Sequence, residues 1–127
     1  MSDAFAVQRF SDAVQAFRAL EDSLRSRAGS VDGKKIDAVL IDLQAAIPGL
    51  DGQDLGRALV FKAYATRWRY LTELHKKNIF QVIDEGVDPR LTQALADAQE
   101  GERLLTTASD RAWAASTIQQ LNEYTRG

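Results

Sequence analysis

Cysteine is absent from the chain. This excludes disulfides, thiolate metal sites and cysteine nucleophiles together, and it suits a reducing compartment. Proline is nearly absent too: Pro48 and Pro89 are the only two. There is a single histidine, His75, so a Cys-His pair and the paired Glu-x-x-His motifs of di-iron bundles are both excluded. No Gly-x-Ser-x-Gly elbow and no glycine-rich phosphate cradle is present. β-Branched residues are scattered and form no alternating run, which argues against strands. No stretch reaches the ~18 apolar residues a membrane-spanning helix needs. The opening MSDAFAVQRF lacks a basic leader and an apolar core, so no secretory signal is expected. These absences predict a cytoplasmic, non-enzymatic protein with no cofactor, no metal and no membrane segment.

The 127 residues, 45% hydrophobic and 27% charged, are enough for one domain spanning 1–127 with a single real core. Helical signals fill it. Ser2 or Asp3 is placed to cap a first helix ending near Gly29. Val7, Phe10, Val14, Phe17, Leu20 and Leu24 form its apolar face, and Arg9, Asp12, Arg18, Asp22 and Arg25 the solvated one. Ser30 or Asp32 caps a shorter second helix, with Ile36, Val39, Leu40, Leu43 and Ile47 on one side and Pro48-Gly49 as its stop. After Asp51 the spacing predicts a third helix over about 53–85, roughly 50 Å long, closed by Gly86. Asp88-Pro89 is an N-cap followed by proline at the first helical position.

The fourth helix is expected over about 89–124, lined by Leu91, Ala94, Leu95, Ala98, Leu105, Ala108 and Ala112. Those small residues permit close approach to a neighbour. Thr106-Thr107 and Ser109-Asp110 predict a bend or break near 106–110. Beyond it Trp113, Thr117, Leu121 and Tyr124 make a rotated stripe. The expected architecture is all-α: an antiparallel bundle of four helices, or five where the last is broken.

The third helix concentrates the unusual residues. Its apolar positions cover about 220° of the helical wheel, which places it centrally, against two or more helices or in a dimer interface. Phe61, Tyr64, Trp68, Leu71 and His75 share a stripe, so His75 is expected to pack inward, and Ile79, Val82 and Ile83 continue that side. Residues 57–77 carry a balance of +5, leaving −7 for the rest of a chain whose net charge is −2. Lys62, Arg69 and Lys76 stack on one face, Glu73 is placed to pair with Arg69 and Lys77, and Phe80 projects beside the row. Aromatics next to Arg and Lys anchor protein partners. Lys62, Arg69, Lys76, Lys77 and Phe80 are therefore the candidate contact residues, for another protein or a second copy of this one.

Nucleic acid is the alternative for the same row, opposed by the acidity of the remainder. A further alternative is chemistry at His75. A small bundle with one helical histidine is similar in outline to histidine phosphotransfer domains, which would imply phosphorylation of His75. Those domains place a lysine and a glycine after the histidine, whereas Leu74-His75-Lys76-Lys77-Asn78 has no glycine. Axial ligation of haem by His75 in a globin-like fold would lack a distal histidine.

Overall fold

A computed structural model of the chain describes residues 1–125. All regular structure among them is helical, in six α-helices: α1 Ala4–Arg27, α2 Gly33–Ala46, α3 Gly52–Leu74, α4 Ile79–Glu85, α5 Pro89–Leu104 and α6 Ala108–Thr125. Short 3-10 turns at Ala28–Ser30 and Ile47–Gly49 finish α1 and α2. Among the described residues, no helix is long and apolar enough to cross a membrane.

The start signals act as short polar side chains should. The carboxylates of Asp3, Asp32 and Asp88 accept from the backbone N–H of Phe5, Lys34 and Arg90, satisfying first-turn donors that otherwise lack partners. Pro89 opens α5, where no N–H is needed. The break foreseen near 106–110 falls between Leu104 and Ala108. Thr107 rather than Ser109 caps α6, its hydroxyl accepting from Asp110 N–H at 3.3 Å.

α3 is the central helix, as its wide apolar face requires. Its buried residues include Ala58, Val60, Phe61, Ala63, Ala65 and Tyr70, which lie around most of its circumference. Residues met in succession along α3 fix the directions of its neighbours. Gly56 faces Gly101, Lys62 pairs with Asp97 and Glu73 with Arg90, so α5 runs antiparallel. Arg57 bonds Asp110, Phe61 meets Trp113 and Tyr70 meets Tyr124, so α6 runs parallel. Arg9–Asp42 and the contact of Ala6 with Gly49 set α1 antiparallel to α2.

Two packing devices hold this arrangement. Phe61 meets Phe10, Phe17, Tyr64 and Trp113 at centroid distances from 5.5 to 6.5 Å, joining α1, α3 and α6. These are edge-on and tilted geometries favoured by the ring quadrupole. On the other side α3 and α5 meet backbone to backbone. A Cβ on residue 101 would stand 2.7 Å from the Gly56 carbonyl oxygen. Ala94 and Ala98 extend that small-residue seam.

Four expectations are corrected. The third helix does not run to Glu85: it ends at Leu74, and α4 begins at Ile79. The cause is a capping box. Asn78 accepts from Gln81 N–H at 2.9 Å, and the Gln81 side chain accepts from Asn78 N–H at 3.0 Å. This pair starts a new helix in competition with continuation of the old one. Among the described residues the bundle accordingly has six helices, not four or five. His75 does not pack inward; it is the exposed C-cap residue of α3. Once the register is broken there, Ile79 and Ile83 fall outside the core, as do Ala108 and Ala112 beyond the second break.

Candidate functional site

The cation row and Phe80 are separated by the break at residues 75–78. Lys62 is folded against α5, its ammonium 2.9 Å from Asp97, with both side chains largely covered. Arg69 reaches α2: its Nε lies 2.8 Å from Asp37, and a second nitrogen lies 3.1 Å from Glu73. Its guanidinium also rests on Gly33, where a Cβ would come within 2.5 Å of it. The expected Arg69–Glu73 pair is therefore present. Lys77 instead bonds Glu85 at the far end of α4, which raises its ammonium pKa above the ordinary value. Only Lys76 of the row is exposed and outside any ion pair among the described residues. Most of the positive charge thus holds helices together and offers little to a phosphate backbone.

Residues 75–88 form an excursion from the bundle, clasped at its base by Arg90. This guanidinium bonds Glu73 at the end of α3 and Asp88 before α5, at 3.1 and 2.7 Å. Sequence reasoning missed this clasp because Glu73 and Arg90 lie 17 residues apart. The Arg90 hydrogen bonds pull the carboxyls of Glu73 and Asp88 below their usual range. Their protonated forms are favoured in the unfolded chain, so the clasp stabilises above the ordinary carboxylate pKa and is lost as pH falls through the lowered ones. Wild type should lose more stability than Arg90→Gln between about pH 5 and about pH 2, in paired chemical-denaturation series. At neutral pH the substitution should cost about 0.5–1 kcal/mol, since these groups are partly screened by water.

The helix held out by this clasp has no buried residue. Ile79, Phe80 and Ile83 are 68%, 75% and 67% exposed, and Val87 follows at the turn. Such a cluster is large for a helix with so little core contact. Gly86, at φ +67°, turns the chain toward α5.

A second apolar feature lies close by. Leu40 and Ile41 of α2, Pro89 and Ala94 of α5 and Thr66 of α3 line an open groove of about 500 Å³. Ile41 is 67% exposed at its edge. Arg90 and the Lys62–Asp97 pair supply the polar rim. His75 stands apart from both features, beside Gly29. It terminates a helix, whereas phosphotransfer bundles present the histidine midway along one.

Comparison with protein-family models, curated proteins and solved structures finds no match to this chain.

Proposed function

We propose that this chain is a non-enzymatic interaction module, an assembly subunit that pairs with a second copy of itself. Each copy seats its α4 in the α2–α5 groove of the other. The observation that carries this reading is the coexistence of an unpacked apolar helix and an unfilled apolar groove on one chain. Phe80 is the anchor, flanked by Ile79 and Ile83, and the groove offers Leu40, Ile41 and Ala94. Exposed Lys76, at the base of α4, is free to meet an acidic group of the second copy.

Reciprocal seating uses the same surfaces twice and closes on itself, which limits assembly to a dimer. Two small docking contacts support an affinity of about 1–100 µM, modest because association entropy opposes them. Sedimentation equilibrium should show a monomer–dimer system in that range, and Phe80→Asp should shift it to monomer with unchanged helix content. A wild type that stays monomeric well above that range would refute self-pairing. The absence of cysteine fits a reducing cytoplasm as the place of action.

A further inference from the structure

On the opposite side of α3, between α1 and α6, lies a cleft of about 370 Å³ lined by Arg18, Arg25, Tyr64, Arg67, Trp68, Trp113, Ser116, Thr117 and Gln120. Three guanidinium groups meet there, and among the described residues no carboxylate lines the cleft. The carboxylate that the lining residues bond is Glu21, only 7% exposed. Glu21 accepts from Arg18, from Arg25 at 3.0 Å and from the Tyr64 hydroxyl at 3.2 Å. It therefore fixes two arginines in place while its own charge is covered. Arg67 has no carboxylate partner among the described residues, which leaves a surplus of positive charge at the cleft.

The placement of Arg67 is specific. Its guanidinium lies over the ring of Trp68 at 5.5 Å and over that of Tyr124 at 5.8 Å. Its Nε–H is buried and donates to nothing among the described residues, and the same holds for Trp68 Nε1–H. Stacking, not hydrogen bonding, thus orients this cation, and the terminal N–H groups are the part able to reach a ligand. An arginine held in this way loses little side-chain freedom when it binds. The aromatic rings are used in internal packing, since Trp113 meets Phe61 and Tyr64. What the cleft presents is therefore mainly N–H and O–H groups, not a stacking platform.

We propose that this cleft binds a phosphate monoester carried on a small molecule. The forked donors of Arg67 and Arg25 take the phosphate oxygens, and Ser116 and Gln120 of α6 contact the remainder. Guanidinium groups match the oxygen spacing of phosphate and stay charged at any physiological pH. The site is separate from the α4–groove pairing and acts in monomer and dimer alike.

Both tryptophans of the chain, Trp68 and Trp113, line this cleft, so intrinsic fluorescence reports it directly. Glycerol 3-phosphate and inorganic phosphate are titrated at constant ionic strength set with chloride, beside a phosphoserine peptide. Expected is a saturable change in tryptophan emission with glycerol 3-phosphate, at a Kd of about 0.1–1 mM. Arg67→Gln and Arg25→Gln should each weaken it at least about tenfold, as for loss of a charge-assisted hydrogen bond. Arg25 is largely exposed, so that variant decides the matter if loss of the Arg67 stack disturbs folding. No saturable response to any phosphate would overturn the proposal, as would unchanged binding in the Arg25 variant. Tighter binding of the peptide than of glycerol 3-phosphate would overturn the assignment to a small molecule.

Discussion

Gly101→Val leaves no folded domain, and even Gly101→Ala lowers stability by about 1–3 kcal/mol. The sign is the informative part. In an ordinary helix interior, glycine to alanine stabilises by about 1 kcal/mol, because alanine has less backbone freedom to lose. Gly101 is in the interior of α5, so propensity alone favours the alanine. Packing reverses this. The added methyl would stand 2.7 Å from the Gly56 carbonyl oxygen and 2.8 Å from a Val60 methyl. One obstacle is backbone and the other belongs to a fully buried side chain, so neither can swing aside. α3 and α5 would have to separate along the Ala63–Ala94–Ala98 seam. Valine adds two more methyl groups to the same space, and a domain holds only about 5–15 kcal/mol in total. Thermal and urea denaturation of both variants should show this order, with Gln99→Ala, on the exposed side of α5, within about 0.5 kcal/mol of wild type.

Two phenylalanines on either side of the α3–α4 break should behave in opposite ways. Phe61→Ala is expected to cost about 3–5 kcal/mol. It removes the ring shared by Phe10, Phe17, Tyr64 and Trp113 and leaves a cavity where α1, α3 and α6 meet. Phe80→Ala is expected to change stability by no more than about 0.5 kcal/mol, because its ring is 75% exposed and α4 has no buried residue. The comparison is made on monomer, at concentrations below pairing, so that lost association is not read as lost folding. A Phe80→Ala loss comparable to that of Phe61→Ala would place α4 in the folding core and remove the basis for a docking role.

The helices were largely legible from local chemistry. Asp3, Asp32 and Asp88-Pro89 announced three starts, and Thr106-Thr107 announced the second break, because caps act over a few residues. The first break was legible as well, in Asn78 with Gln81 three residues later. An uninterrupted aromatic and apolar periodicity masked it, and a wheel continued past Leu74 then placed His75, Ile79 and Ile83 inside. The core role of Phe61 and the close approach of α5 followed from side-chain size and spacing. What the sequence could not reveal was tertiary pairing. Lys62, Arg69 and Lys76 share a face on paper, but Asp97 and Asp37 lie on other helices. The Arg90 clasp, the α2–α5 groove and the arginine cleft are likewise assembled from distant segments, and no local pattern marks them.

The pairing of α4 with the groove is tested most directly by complementation between two variants. Phe80→Asp disables the helix but leaves its groove intact; Ile41→Asp disables the groove but leaves its helix intact. Each alone should sediment as a monomer where wild type is dimeric. Mixed in equal amounts, one productive seating is restored, so a heterodimer should form with weaker affinity than wild type. A mixture that remains monomeric, or a Phe80→Asp protein that still dimerises by itself, would contradict the proposed mode of assembly.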